Sequence, residues 1–360
     1  MGTDSRLFAF LETIGAHTDE RRGRPLAAHF GDPAWEYDAV RRSVGLIDRS
    51  SLGAVRIRGA DRAAFLEHML ANDVKDLAPG AGRWNALLAP NGKFIALFRL
   101  LAFAESFLAL LDREDAVTLS RGLDPYLILE EAEIEDTSAE WGAVHVAGPE
   151  SGRLLASLSG SPLPHLPPGH HRPLSLPGIP GPVHAVRECP TGEDGFDLLV
   201  QRERLVDAWR LLLLHEAPKP RPVGDEAFEI LRMEAGTPLF GADIGPDLGP
   251  LEAGLESVVS FGKGCFPGQE ILAKTHHRGK PPKSLVGLAI EGDRPPDRGS
   301  AVLADGAEVG RITSAVRSIH PGGVIAFAVI RTTIVENRPP LFARAGDRVL
   351  AARLAELPFR

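Results

Sequence analysis

The chain has 360 residues and a mass of 38.6 kDa, beyond the size at which one hydrophobic core keeps growing, so two or three domains are expected. Hydrophobic residues make up 44% and charged residues 24%, with 38 Gly and 30 Pro, a composition that excludes extended disorder and points to a soluble globular protein rich in turns. A net charge of -8 without a long basic run argues against nucleic acid as a partner, yet leaves room for a compact anion held by a local group of lysines and arginines.

Along the chain, residues 54–58 alternate apolar and charged side chains, and Phe65, Leu66, Met69 and Leu70 follow at helical spacing. This predicts a strand, a turn and a helix, with Asp61 as the helix cap. Residues 94–111 are the stretch closest to membrane length, but Arg99 and Glu105 interrupt it, and charge near a bilayer centre is costly. It reads as two buried strands with Glu105-Ser106 at the turn, a Leu-rich helix being the alternative. The preceding hairpin turns at Pro90-Asn91-Gly92. Residues 143–147 predict another strand, and Ser151 begins a helix carrying Leu154, Leu155 and Leu158.

Proline and glycine dominate residues 160–183, which predicts a surface excursion without regular structure. His165, His170 and His171 lie in or beside it; as adjacent residues in a proline-rich loop they lack a fixed facing geometry for metal. Residues 195–200 predict a strand, 203–215 an amphipathic helix with Leu205, Trp209, Leu212 and Leu213 inward, and 225–235 a further helix. From Lys283 onward short strands separated by turns predict a small β-barrel or sandwich.

The two cysteines, Cys189 and Cys265, form no Cys-x-x-Cys pair. They cannot supply four thiolates, so no stably bound metal or cluster is expected. The N-terminus matches neither a secretory signal nor a myristoylation site, so a cytoplasmic protein without membrane attachment is expected, and a disulfide is unsupported. Cys265 sits in Lys263-Gly264-Cys265-Phe266-Pro267-Gly268-Gln269-Glu270. Flanking glycines let another molecule approach, and a lysine ammonium favours thiolate, whose free pKa is about 8.5. The competing reading is a small buried residue in a tight turn.

Further segments join that loop: Arg41-x-x-x-Gly45-Leu46-Ile47-Asp48-x-Ser50, Ala71-Asn72-Asp73-Val74, Thr191-Gly192-Glu193-Asp194-Gly195-Phe196-Asp197 and Leu231-Arg232-Met233-Glu234-Ala235-Gly236. Together they resemble the superfamily of the glycine-cleavage T-protein and, through the cysteine loop, its YgfZ-type folate-binding branch. Thr275-His276-His277-Arg278-Gly279 extends the likeness, as a histidine pair beside an arginine that moves protons or holds an anion, or as solvated surface.

The resemblance implies an α+β fold of three modules around a central opening. The first module would comprise 1–50 and 141–250, with the Pro/Gly-rich loop at 160–183, and the second 51–140. Residues 251–280 would carry the cysteine motif and 281–360 a C-terminal β-barrel. The resemblance also implies tetrahydrofolate or a derivative as ligand. A pterin presents a ring N–H and an amino group side by side, and one carboxylate can accept both. Asp197 stands at the place of the family's pterin-binding glutamate, one methylene shorter, with Glu193, Arg232 and Lys263 as further folate contacts. Arg232 reads equally as an ion-pair partner of Glu234 or another local carboxylate.

Ala96 and Leu97 occupy the places of the T-protein's paired hairpin aspartates, and Phe228 replaces an arginine. The resemblance therefore implies a folate-binding accessory protein supporting iron-sulfur cluster assembly or repair, with iron-sulfur client or assembly proteins as partners. It would act through Cys265, with Lys263, Gln269 and Glu270 organising the loop, Gly264, Phe266 and Gly268 shaping it, and His276, His277 and Arg278 in support. The rival is a tetrahydrofolate-dependent aminomethyltransferase or demethylase of the T-protein type; a third reading is a folate-binding module without chemistry.

Overall fold

The computed structural model describes residues 3–21, 24–163 and 165–359. The chain forms two compact units: residues 1–67, 74–85 and 98–228 in one, and 68–73, 86–97 and 229–360 in the other. Among the described residues no helix is long and apolar enough to cross a membrane.

The first unit holds a six-stranded sheet in the order His171–Leu176, Ile179–Arg187, Gly195–Gln201, Trp141–Ala147, Gly45–Asp48, Arg221–Val223. All neighbours pair antiparallel except the last two, which run parallel. Alternation assigns each face a separate role. Leu46, Val144, Val146, Leu198 and Val200 turn to one side and join a core with Leu7 and Leu11 of the Thr3–Thr13 helix, Leu154 and Leu155 of Ser151–Ser159, and Trp209 and Leu212 of Leu205–Leu213. Ala143, Val186 and Leu199 turn to the other side and meet Leu52, Ala54, Leu101, Leu108 and Leu110. These belong to the sheet ordered Gly82–Leu88, Phe94–Ala102, Phe107–Asp112, Leu52–Arg58, Glu133–Asp136.

The 94–111 stretch thus forms two strands, as its interruption at Glu105-Ser106 indicates. The 160–183 excursion differs from expectation: His171–Leu176 and Ile179–Arg187 make a hairpin, with Leu174, Leu176, Ile179 and Val183 buried. Its prolines are tolerated because Pro173 lies on an edge strand, where a missing ladder donor costs least, and Pro180 and Pro182 face solvent. Asp61 does not act as the expected cap; its carboxylate accepts from the Glu131 N–H at 2.9 Å.

In the second unit six strands close into a barrel in the order Lys283–Ile290, Gly323–Arg331, Ala307–Ser318, Ala301–Ala304, Leu341–Ala345, Arg348–Ala355. Gly323–Arg331 is almost wholly apolar because it is buried on both faces. Val324, Ala326, Ala328 and Ile330 fill the barrel, while Ile325 and Phe327 pack outside it against Met233 and Phe359.

Candidate active site

In the first unit, the sheet face turned away from the helices carries a row of charge. Asp197 is the third residue of Gly195–Gln201 and is paired in register with His145 on one side and Val186 on the other. Ile47 pairs with His145, so Arg49, two residues on, and Glu188, two beyond Val186, follow the same period-two alternation. Arg99 comes from Phe94–Ala102 of the other sheet. Its Nη1 lies 3.5 Å from Asp197 Oδ2 and its Nε 2.7 Å from Glu188 Oε1. Arg99 is 3% exposed and His145 fully buried.

Asp197 lies at the centre of this row. It is 1% exposed, and His145 Nδ1 donates to its Oδ1 at 2.8 Å. Burial alone would raise its pKa, yet the hydrogen bond from His145 and the charges of Arg49 and Arg99 hold the carboxyl far below its ordinary range. Glu188 moves oppositely: burial pushes it up, with Arg99 opposing and the neighbouring Asp197 charge adding to the rise. The Arg99 guanidinium also lies 5.3 Å from the ring of Trp84, which is 41% exposed, so a buried ion cluster connects to an accessible aromatic plane. Arg49 is placed similarly, 5.8 Å from the ring of Phe228.

The Thr191–Asp197 segment builds this arrangement. A Cβ on Gly195 would come within 2.8 Å of the His145 imidazole and of the Glu188 carbonyl oxygen, so only glycine lets the ring lie beside the strand. Glu193, expected as a folate contact, accepts from Arg41 Nη1 at 3.0 Å, and the same nitrogen donates to Thr191 O. Its carboxylate ties the helix Pro33–Arg42 to this turn.

The second unit carries the cysteine loop. Phe266 is buried with Leu272, Val258 and Val259, and Cys265 beside it is exposed and free, which removes the reading as a small buried residue. Lys263 differs from expectation: its Nζ donates to the carbonyls of Leu70 and Asn72 at 2.9 and 2.8 Å. Gly264 has open space where a Cβ would stand. At Gly268, with φ +83°, a Cβ would meet Ala89 O at 2.6 Å, so this glycine accommodates the chain's own Ala89–Gly92 turn.

Gln269 Nε2 reaches Lys263 O at 3.5 Å and closes the loop. Glu270, expected to help organise the loop, is exposed and pairs with Lys274 one helical turn on, which lowers its pKa. His276 stacks on Phe261 with ring centroids 4.2 Å apart, and His277 lies 6.0 Å from His276. The side chain of Arg278 lies outside the described residues.

Arg232, also of the second unit, is 1% exposed and saturated. It donates to both oxygens of Glu229, to Asp243 Oδ2 at 2.9 Å, to Thr237 O and to Ser314 Oγ, so of its two expected roles it fills the structural one. Glu234 is engaged by Ser318, Ile319 and His320 instead. Ala96 and Leu97 are both buried, which leaves the hairpin without a carboxylate at these places.

Apart from Asp197, the members of the charged row are isolated in sequence, and no motif marks them. The available signal was a polar residue at the centre of an apolar strand: His145 within residues 143–147 and Arg99 within residues 94–103. Buried charge demands a partner, and both interruptions converge on the same carboxylate, Asp197.

Residues 8–263 match the GCVT N-terminal domain family, and residues 283–360 match the glycine cleavage T-protein C-terminal barrel domain. An aminomethyltransferase of Streptomyces coelicolor is 32% identical over 329 residues, 90% of this chain and 88% of the relative. One of Geobacillus kaustophilus is 29% identical over 361 residues, 98% of this chain and 97% of the relative. The solved glycine cleavage system aminomethyltransferase T of Bartonella henselae superposes with a TM-score of 0.88, at 22% identity, over 98% of this chain and 97% of its own; at that identity the likeness speaks for the fold. These relatives overturn the iron-sulfur accessory role inferred from the cysteine loop. That role rested on an eight-residue motif, whereas the likeness to aminomethyltransferases runs through nearly the whole chain.

Proposed function

The chain belongs to the glycine cleavage T-protein family, and from that premise we propose that it is a tetrahydrofolate-dependent enzyme accepting a one-carbon unit from an aminomethyl or N-methyl donor. The observation that carries the reading is the extent of likeness to an aminomethyltransferase, 32% identity over 90% of the chain. Making methylenetetrahydrofolate from an aminomethyl donor replaces two N–H bonds of the folate by two N–C bonds. The two protons leave on the released amine and on the donor atom, so the site has to move protons. With Ala96 and Leu97 in the hairpin, that task falls to other groups, and we assign it to the row of Arg49, His145, Asp197, Glu188 and Arg99, of which His145, Asp197 and Arg99 are buried.

Titration calorimetry with tetrahydrofolate tests the ligand. Saturable binding is expected, weakened at least roughly tenfold in Asp197→Ala, because removing that carboxylate leaves Arg99 and His145 without their shared partner. Absence of saturable binding by the unaltered protein overturns the reading. The hairpin without a carboxylate at Ala96 and Leu97 favours a second reading, a folate-binding module without chemistry. Product formation separates the two.

A further inference from the structure

Asp197 is a poor acceptor for a ligand. Oδ1 is taken by His145 and Oδ2 faces Arg99, and the side chain keeps 2% of its surface. A heterocycle with two adjacent N–H donors needs a carboxylate with open lone pairs. Glu188 offers one. Its side chain keeps 11% exposure, Oε1 faces Arg99 Nε, and among the described residues no side-chain hydrogen bond engages Oε2.

The position is fixed from both ends. The Glu188 N–H donates to Gly195 O at 3.0 Å, and Arg99 is itself held by Asp197 and lies beside the accessible Trp84 ring. The guanidinium over the Trp84 ring is thus the same one that faces Glu188, which ties the carboxylate to an accessible aromatic edge.

We infer that Glu188, and not Asp197, is the carboxylate that receives the paired N–H groups of the folate ring, with Arg99, Asp197 and His145 as positioning residues behind it. This rests on folate being the ligand. The test uses the full chain and two probes: tetrahydrofolate, and its analogue in which an oxygen replaces the 2-amino group. The unaltered protein is expected to prefer tetrahydrofolate by roughly tenfold or more, since one charge-assisted hydrogen bond is lost in the analogue.

Glu188→Gln should erase most of that preference, because its amide can serve either ring. Should Glu188→Gln fail to fold, Glu188→Asp keeps the charge beside Arg99, and its preference should fall by several-fold. A folded Glu188 variant that retains the unaltered preference overturns the inference while leaving folate binding intact. Failure of the unaltered protein to bind tetrahydrofolate overturns the functional reading itself.

Discussion

At the scale of single residues, His184 and His171 lie in an aromatic group in the first unit, with Phe103 at 5.0 and 4.4 Å and Trp141 at 6.1 Å from His184. His171 Nε2 donates to Ala102 O, whereas among the described residues the Nδ1 atoms of both histidines and Trp141 Nε1 have no hydrogen-bond partner. Burial, and then the neighbouring His171, lower the His184 pKa to about 4, below the unfolded value of about 6.5. A histidine lowered in the fold contributes stability that is fully present above its unfolded pKa. That contribution declines as pH falls from there toward the folded pKa, because the unfolded chain binds the proton first. Unfolding free energies from urea titrations at pH 7 and pH 4.5 should differ less in His184→Phe than in the unaltered protein, by on the order of 2 kcal/mol; equal differences would contradict the assignment. Glu188, raised by burial, has the opposite sign and loses its contribution as pH rises through its folded pKa. Gly195→Ala should cost roughly 1–3 kcal/mol by thermal or urea unfolding, since the added methyl meets the His145 ring.

Elements explain which local features the sequence made legible. The barrel strands announce themselves through turns such as Asp305-Gly306, and the earlier hairpin through Pro90-Asn91-Gly92, whose glycine takes a φ of 74°, because backbone rules are local. The hairpin across 171–187 was masked, since its prolines sit where an edge strand and solvent-facing positions excuse them, and only the tertiary environment decides that. Arg232 illustrates the same limit on the Asp225–Glu234 helix. Its spacing to Glu229 is readable, but the second partner, Asp243, arrives through a loop. Arg232→Ala strips both carboxylates of a buried counterion and should lower stability by roughly 3–5 kcal/mol, with Arg232→Lys recovering only part. An unchanged denaturant midpoint would show that the pairs carry no weight.

For the whole molecule, family-like segments made the α+β modules legible, because they fall in strands and turns whose geometry depends on them: Gly195 beside His145 and Gly268 against the Ala89–Gly92 turn. Function was harder to read. The cysteine loop drew attention through rare residues packed into a short span, whereas Asp197, Glu188, Arg99, His145 and Arg49 are common residues whose meaning comes from register between strands that lie far apart in the chain. A loop also reveals its chemistry less than a buried charge does, since exposure is cheap and burial of charge is not. The most direct test is to incubate the purified protein with tetrahydrofolate and an aminomethyl donor and follow methylenetetrahydrofolate. Saturable formation that falls at least roughly tenfold in Asp197→Ala is predicted; formation no faster than in the protein-free control would contradict the account.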